Sequence, residues 1–375
     1  MKLNNPFLIA GYHSPEYFCD RQNETETITN ALQNERNITL IAPRRMGKTG
    51  LIKNVFYHLE KKNEAVPVYM DIFSTQSLNE FVHLFAVSVL EALDSNVQKL
   101  IGKVSNFLKS CRPVLTFDEI TGQPQVSIEI SPNKEEATLR EIFDYIAASD
   151  KRCVIAIDEF QQIAEYPEKG VEALLRSYIQ FVPNARFIFA GSKQHIMQEM
   201  FLSAKRPFYQ STQIVTIEAI RKEEYYDFTR HFFQEANRKF DNDTFYYMYD
   251  EFEGHTWYVQ LAMNELYILT AKEETCDKPM LKTALDNIIA MQDFTYQEIF
   301  SRLPDKQKEV IVAIAKEKKA EGVTSARFIK QYRLSSSSSV QSGLKGLMEK
   351  DMVTQEQGVY QVYDKLLGVW LRRNY

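Results

Sequence analysis

Phosphate-binding chemistry is indicated by the segment IAPRRMGKTG, which occupies positions 41–50 of a 375-residue chain. In loops of this kind the backbone amides and the amino end of the following helix bind phosphates, a lysine reaches the β- and γ-phosphates, and a hydroxyl ligates Mg²⁺. Lys48 and Thr49 match the last two positions. The pattern therefore predicts a site for a nucleoside triphosphate and Mg²⁺.

One position departs from this pattern, because Ala42 stands where such loops usually open with glycine. A small side chain is tolerated there if the backbone does not need a positive φ. Gly47, expected beside the phosphates, is retained, which favours a working loop over a decayed one. The predicted nucleotide contacts span the loop: Ala42, Pro43, Arg44, Arg45, Met46, Gly47, Lys48, Thr49 and Gly50.

Two carboxylates, Asp158 and Glu159, end the apolar segment CVIAIDEF. A parallel neighbour strand would place them beside the phosphate loop. Asp158 is predicted to hold Mg²⁺, and Glu159 to orient and deprotonate the attacking water, because phosphoryl transfer depends on positioning and charge neutralisation. An acidic pair after a strand can also be a solvated turn, but the upstream loop favours the catalytic interpretation.

Two further residues are candidates for roles near the transferred phosphate. Ser192 follows the strand-like segment ARFIFAG at the same predicted sheet edge. A contact with the γ-phosphate or the attacking water is one interpretation, and a simple turn or cap residue is the other. Arg206, in AKRPFY, is the candidate arginine finger, supplied within the chain or by a neighbouring subunit.

The elements that must position these residues alternate between strand-like and helical patterns. The strand-like segments are NITLIAP, AVPVYMDIF, RCVIAIDEF, ARFIFAGS and TQIVTIEAI. Their rhythm predicts an α/β fold with a mostly parallel sheet covered by helices on both faces. A long helical stretch is predicted over residues 78–110 and a hairpin insertion over residues 113–130.

The remainder of the chain changes character. Residues 221–300 are nearly all helical in pattern and rich in Tyr and Phe, which we interpret as packing residues. Residues 301–375 contain three short helical patterns and then two β-prone runs about a glycine, the order of a winged helix-turn-helix. The serine run at 335–339 is interpreted as the capped start of a helix.

Charge is distributed unevenly along the chain. The net charge is -5, yet residues 301–375 contain 14 Lys and Arg against 8 Asp and Glu. This excess favours an anionic partner such as duplex DNA at the winged helix, with a protein partner as the alternative. The recognition helix expected near Ser336 has Lys345 and Lys350 but no arginine, the residue that most often contacts guanine.

Composition argues against several classes of protein. A hydrophobic fraction of 44% with 25% charged residues is typical of soluble globular proteins. No apolar stretch approaches membrane-spanning length, and the apolar run near the amino terminus is too short for a secretory signal. The 4 cysteines have neither metal-ligand spacing nor a disulfide framework. We therefore expect a cytoplasmic protein with no membrane partner and ordinary buried thiols.

Taken together, these motifs resemble the archaeal-type ATPases of the STAND branch of AAA+ P-loop ATPases. The resemblance covers nearly the whole chain and rests on NPF, YFCDRQNE, APRRMGKTG, IDEFQQI, AGSKQHIM, RPFY and the ending YQVYDKLLGVWLRR. It implies ATP as the nucleotide, a sheet with strand order 5-1-4-3-2 and a place for Arg21 near the nucleotide. It also implies a P-loop ATPase domain at 1–220, a helical lid at 221–300 and a winged helix at 301–375.

The lid segment departs from the family pattern. A proline that touches the nucleotide normally follows the lid glycine, whereas EGHTWYVQ has His255 and Thr256 after Gly254. His255 is a candidate phosphate contact, and a packed or solvated histidine is the alternative. The departure concerns the coupling between nucleotide state and lid movement, and it leaves the predicted phosphate loop unchanged.

Three functions are consistent with the motifs. The leading hypothesis is a Mg²⁺-dependent ATPase whose slow hydrolysis of ATP to ADP makes it a molecular switch. One alternative is a DNA-binding regulator controlled by its ATPase domain. The other is an interaction scaffold that holds nucleotide without turnover. Oligomerisation is compatible with all three, and no motif fixes the oligomeric state.

Overall fold

The computed structural model describes residues 2–94, 108–117 and 124–375. They form two compact units: a first unit of Ala10–Ile220, and a second unit of Arg221–Tyr375 together with the segment that ends at Ile9. Each unit has its own core. The predicted division of the chain into domains ending at residues 220 and 300 remains a prediction.

The first unit is built around a parallel sheet. The described strands of the whole first unit are β1 (Ile38–Ile41), β2 (Val66–Asp71), β3 (Cys111–Phe117), β4 (Pro124–Ile130), β5 (Cys153–Asp158), β6 (Ala185–Gly191) and β7 (Gln213–Thr216). The order β2-β5-β6-β1-β7 forms one sheet in which every neighbour is parallel. Numbering only these 5 strands along the chain gives 5-1-4-3-2 from the other edge, which confirms the predicted order.

Helices cover both faces of this sheet. They are α1 (Gln22–Gln33), α2 (Lys48–Lys61), α3 (Leu78–Leu93), α4 (Glu135–Ala148), α5 (Val171–Ile179) and α6 (Gln194–Leu202). Side chains of β5 alternate between two buried clusters: Val154 and Ala156 belong to one with α1 and α2, whereas Ile155 and Ile157 belong to the other with α3 to α6. Each fully buried aliphatic side chain stabilises the fold by about 1.5–3 kcal/mol. The predicted two-faced covering is confirmed.

The segment between β2 and β5 differs from the prediction in one respect. The helix expected over residues 78–110 ends at Leu93, and residues 95–107 of that prediction lie outside the described residues. Ser110 is not helical, because Glu141 accepts hydrogen bonds from both its amide and its hydroxyl, each at 3.0 Å. The hairpin insertion is confirmed, since β3 pairs antiparallel with β4 as a separate sheet.

The second unit is mostly helical. Its described helices are α7 (Lys222–Glu235), α8 (Asn242–Glu251), α9 (Thr256–Leu269), α10 (Lys278–Ser301), α11 (Asp305–Glu317), α12 (Ala326–Gln331), α13 (Ser337–Glu349) and α14 (Lys365–Asn374). Its short strands are β8 (Lys239–Phe240), β9 (Thr275–Cys276), β10 (Ala320–Glu321), β11 (Val353–Glu356) and β12 (Val359–Val362). Helices α11 to α13 followed by the β11-β12 hairpin confirm the winged helix-turn-helix pattern.

Two local predictions in this unit also hold. Ser336 caps α13, because its hydroxyl accepts a hydrogen bond from the Ser339 amide at 3.2 Å. The aromatic residues of 221–300 are largely core residues, among them Tyr225, Phe233 and Phe245, which are fully buried. A cap such as Ser336 stabilises its helix because it gives a free backbone amide a hydrogen-bond acceptor. The buried aromatic residues stabilise the unit by removing apolar surface from water.

The first residues of the chain belong to this second unit, although the sequence placed them in the ATPase domain at 1–220. The fully buried ring of Phe7 explains the difference. It lies 5.7–6.2 Å, between ring centroids, from Phe228, Phe232, Phe233 and Tyr267. Aromatic packing, and not position in the sequence, therefore decides which unit contains these first residues.

The described structure bears on two predictions, namely that the chain has no membrane-spanning stretch and that its cysteines are buried thiols. None of its helices combines the length and the apolar character needed to cross a membrane. Cys19, Cys111, Cys153 and Cys276 are free and buried. Burial raises the pKa of Cys111 and Cys153 to about 11 and that of Cys276 to about 12. These are neutral thiols, as predicted.

Candidate nucleotide-binding site

The phosphate loop connects β1 to the first turn of α2. Gly47 is the N-cap of α2 with φ 87°, a conformation that glycine adopts without steric cost. Ala42 is fully buried and is not among the described residues with positive φ, so the strand exit does not require glycine. Arg45 has φ 68°. Gly50 lies against the ring of Phe18.

Lys48 is held inside this loop. It is 6% exposed, and its Nζ donates to the carbonyl oxygens of Ala42 at 3.2 Å and Pro43 at 3.3 Å. Burial lowers the pKa of Lys48, whereas the nearby carboxylates of Glu159 and Asp158 oppose that shift. A phosphate oxygen is a stronger, charged acceptor and can replace a carbonyl partner of the ammonium.

Asp158 joins the loop to the end of β5. It is 3% exposed, and its Oδ2 accepts hydrogen bonds from the Thr49 hydroxyl at 2.8 Å and the Tyr69 hydroxyl at 2.9 Å. Its Oδ1 accepts from the Glu159 amide at 3.0 Å. The structure thus brings together the two segments that the sequence singled out.

The same residues fit Mg²⁺. The converging hydroxyl and carboxylate oxygens of Thr49 and Asp158 are the hard donors that this ion takes in proteins. No group of three or more His, Cys, Asp or Glu residues suited to a metal occurs in the described part of the chain. Mg²⁺ commonly uses only one or two carboxylates, with substrate phosphates and water completing its shell.

Glu159 has a constrained backbone and side chain. Its φ of 55° is left-handed, which is uncommon for a residue other than glycine and costs about 1–2 kcal/mol. Its Oε2 accepts hydrogen bonds from the Ser192 hydroxyl at 2.7 Å and from Nε2 of Gln161 at 2.5 Å. Ser192 therefore lies at the predicted edge of the sheet and contacts the candidate base.

Sequence analysis missed two residues of this cluster, Tyr69 and Gln161. The predicted strand order makes β2 the neighbour of β5, with Asp71 opposite Asp158, and this could have pointed to the last residues of β2. Burial and Asp158 raise the pKa of Tyr69, so its hydroxyl stays a neutral donor. No sequence signal marked Gln161, because its contact depends on the turn that follows Glu159.

Arg21 and Arg44 differ in their environments. Arg21 is 3% exposed, pairs with Glu24 at 2.7 Å and donates from Nη2 to the Met46 carbonyl at 3.3 Å. This contact brings Arg21 to the phosphate loop. Arg44 is exposed, and its guanidinium lies 5.4 Å from the centroid of the Phe73 ring. A cation over an exposed ring contributes about 0.5–1 kcal/mol.

Arg206 and His255 lie in other surroundings. Arg206 forms ion pairs with Glu172 of α5 and with Glu199 of α6, the latter at 3.6 Å. His255 belongs to the second unit, where its Nδ1 lies 3.0 Å from the Phe252 carbonyl oxygen. Their predicted roles, as arginine finger and as phosphate contact, stay predictions.

The basic residues of the winged helix include two groups that differ in their surroundings. Those of the first group pair with carboxylates elsewhere in the second unit: Lys318 and Arg372 with Glu251, Lys319 and Lys365 with Glu253, and Arg373 with Asp286. Those of the second group, Arg327, Lys330 and Arg333, are exposed on and just after α12. Much of the positive charge therefore contributes to contacts inside the unit.

Comparisons with known proteins agree with this geometry. A family model described as "ATPase domain predominantly from Archaea" matches residues 18–262, and a winged helix domain model matches residues 294–373. No curated protein matches the chain.

Three solved structures illustrate the shared fold. A Walker-type ATPase of Pyrococcus abyssi aligns with TM-score 0.63 and 18% identity over 98% of this chain and 99% of that one. Aeropyrum pernix Orc2, solved as ADPNP-ADP complexes, aligns with TM-score 0.59 and 14% identity over 98% and 95%. Orc1 of the same organism, solved in complex with DNA, aligns with TM-score 0.54 and 13% identity over 99% and 97%. The chain therefore belongs to the family of ATPase domains found predominantly in Archaea, and it carries a winged helix domain after its ATPase domain.

Proposed function

We propose that this protein is a Mg²⁺-dependent ATPase of the STAND type that acts as a nucleotide-controlled molecular switch. The observation that carries the proposal is the 2.8 Å hydrogen bond between the Thr49 hydroxyl and Asp158. It joins the phosphate loop to the acidic strand end, the two segments that hold Mg²⁺ and phosphates in P-loop ATPases. Membership of an ATPase family supports ATP as the nucleotide.

The loop residues are suited to bind the triphosphate. Lys48 would exchange its contacts with the carbonyl groups of Ala42 and Pro43 for charge-assisted contacts with phosphate oxygens. Thr49 and Asp158 would hold Mg²⁺, which when bound neutralises charge on the phosphates. The amides at the start of α2 add the favourable field of a helix amino terminus.

Glu159 is suited to orient the attacking water and accept its proton. The Ser192 hydroxyl occupies one carboxylate oxygen, which limits rotation of the base. General base catalysis by a positioned carboxylate contributes about 100- to 10,000-fold in rate. Arg206 could add stabilisation of the transferred phosphate only by exchanging its pairing with Glu172 and Glu199 for the nucleotide.

A switch requires a part of the protein that responds to the exchange of ATP for ADP. The presence of an ATPase domain and a winged helix domain in the same chain supports this part of the proposal. Loss of the γ-phosphate removes the group that Glu159 and Ser192 would face, and P-loop switches respond to that loss by rearranging.

The test compares wild type with Lys48→Ala and with Lys61→Ala, a control at the exposed end of the same helix. We expect Lys48→Ala to lose more than about 100-fold in ATP affinity, the scale expected when a charged group loses several charge-assisted contacts. Lys61→Ala should bind ATP normally. ATP affinity unchanged in Lys48→Ala, measured by calorimetry, would contradict the proposed site.

DNA binding by the winged helix is a second candidate function. The exposed Arg327, Lys330 and Arg333 favour it, because exposed cations supply most nonspecific affinity for a duplex. On α13, Lys345 pairs with Glu349 at 3.9 Å. This arrangement suits contacts with the phosphate backbone better than base recognition. Duplex DNA binding by the full chain, titrated against salt, tests this candidate.

A further inference from the structure

The side chain of Gln161 is buried against the candidate base. Gln161 lies in the 3₁₀ turn Phe160–Glu165 and is 3% exposed. Its Nε2 donates to Oε2 of Glu159, the same oxygen that accepts from the Ser192 hydroxyl. Two donors from different segments therefore meet at one carboxylate oxygen, which fixes the rotation of the Glu159 side chain.

The other end of this amide is confined by β6. A Cβ added to Gly191 would lie 2.4 Å from Oε1 of Gln161 and 2.5 Å from Sδ of Met197. The absence of a side chain at Gly191 therefore leaves the space that the amide occupies. Because the Glu159 carboxylate can only accept hydrogen bonds, the NH₂ group is the end of the amide that faces it, and the carbonyl oxygen lies toward Gly191.

Two features of this arrangement are unfavourable when taken singly. Oε1 of Gln161 is buried and has no hydrogen-bond partner among the described protein atoms. A buried acceptor without a partner is destabilising, as is the left-handed backbone of Glu159. A methionine would occupy similar space without a polar atom that needs a partner. Unfavourable features concentrated at one place are typical of sites that must hold a catalytic geometry.

We propose that Gln161 is a positioning residue for ATP hydrolysis. Together with Ser192 it holds Oε2 of Glu159, so that Oε1 of Glu159 is presented to the attacking water. This inference rests on the proposed function, in which Glu159 is the base. It adds to that function a residue that acts through Glu159 without touching the substrate.

The test is Gln161→Met, with Gln162→Met as the matched control. Gln162 lies in the same turn, and its Nε2 donates to the Thr75 carbonyl at 3.2 Å instead of to Glu159. We expect Gln161→Met to lower kcat about 10- to 100-fold, the scale of losing one donor to a charged group. The KM for ATP should change less than about twofold, and Tm should be unchanged or higher. Gln162→Met should keep the wild-type kcat.

A double-mutant cycle separates positioning from a structural role. In the Glu159→Gln background the group that Gln161 positions can no longer act as base, so Gln161→Met should change the residual rate by less than about twofold. Gln161→Glu provides a second variant of the same shape, in which the neutral amide is replaced by a carboxyl group that competes with Glu159 for a proton. It should also lose kcat with little change in KM.

Several outcomes would overturn the inference. They are a kcat within about twofold of wild type in both variants of Gln161, a loss of kcat that follows a fall in Tm in both, and an equal loss in the Glu159→Gln background. A wild-type chain that binds ATP without hydrolysing it would instead contradict the proposed function, and this inference would fall with it. Wild-type hydrolysis that Glu159→Gln lowers about 100-fold or more and that both variants of Gln161 leave within about twofold of wild type overturns only the role of Gln161.

Discussion

The phosphate-loop site and the winged helix use charged residues in opposite ways. In the site, Lys48 and Asp158 are nearly fully buried. Asp158 accepts a hydrogen bond from the Thr49 hydroxyl, and its charge opposes the lowering of the Lys48 pKa by burial. In the winged helix, Arg327, Lys330 and Arg333 are exposed. Buried charges interact strongly, whereas exposed pairs contribute about 0–1 kcal/mol. The site should therefore depend on single residues and the winged helix on its summed charge.

The largest effect is expected at Asp158. Asp158→Asn removes the charge that would hold Mg²⁺, so we expect turnover to fall by about 100-fold or more and the Mg²⁺ requirement to rise. The control is Asp71→Asn, since Asp71 is exposed and lies opposite Asp158 in the sheet. Phosphate release as a function of Mg²⁺ concentration measures both. Equal losses in the two variants would remove the contrast between buried and exposed carboxylates.

A smaller effect is expected at Tyr69, whose hydroxyl donates to Asp158 at 2.9 Å. Tyr69→Phe keeps the ring and removes one hydrogen bond to a carboxylate, so kcat should fall about 3- to 30-fold. Steady-state kinetics at saturating Mg²⁺ and ATP give this number. An unaltered kcat would show that Thr49 and the Glu159 amide hold Asp158 without help from β2.

Single substitutions in the winged helix should have still smaller effects. Arg327→Ala should weaken binding to duplex DNA by about two- to threefold and reduce the slope of log affinity against log salt by about 0.9. The matched control is Lys318→Ala, because Lys318 is paired with Glu251 at 2.6 Å. Fluorescence anisotropy at several salt concentrations measures the slopes. Equal changes in the two variants would show that pairing inside the unit does not withhold charge from DNA.

The smallest effect is expected at His255, through the pH dependence of stability. Burial and Lys365 lower the pKa of His255 in the folded chain. As pH falls below about 6.5, the unfolded chain therefore takes up a proton that the folded chain resists, and the unfolding free energy decreases. His255→Gln should make this decrease shallower between about pH 7.5 and 5.5.

Tryptophan fluorescence can follow this change, because both tryptophans, Trp257 and Trp370, lie in the second unit with His255. Denaturant titrations at several pH values give the unfolding free energy of that unit. Identical pH slopes for wild type and His255→Gln would contradict the expectation.

The sheet and the centre of the site could be predicted from the sequence because their signals are local. Apolar runs indicated the strands. Asp158 ends one strand and Ser192 follows another, and their parallel order brings the carboxyl ends of both strands to one edge of the sheet. Tyr69 and Gln161 could not be assigned in this way. Their contacts depend on strand register and on the turn after Glu159, which periodicity does not encode.

Two further points could not be predicted from the sequence. They are the unit to which the first residues belong and the share of the winged-helix Lys and Arg residues that pair with carboxylates. The sequence around Phe7 would look the same if its ring packed against the sheet, but the ring packs against α7 and α9. Counting Lys and Arg overstated the free positive charge, because residues such as Arg372 and Lys365 pair with carboxylates more than 100 positions away. Tertiary contacts, and not composition, decide both points.

The central claim is that the loop and Glu159 form a hydrolytic site, and Mg²⁺-dependent phosphate release from ATP tests it most directly. Wild type and Glu159→Gln would be compared, with ATP affinity measured in parallel. We predict that wild type turns over ATP and that Glu159→Gln binds ATP normally but loses at least about 100-fold in rate, because its isosteric amide cannot accept the proton. Equal rates in the two proteins, or no turnover by wild type with ATP bound, would contradict the claim.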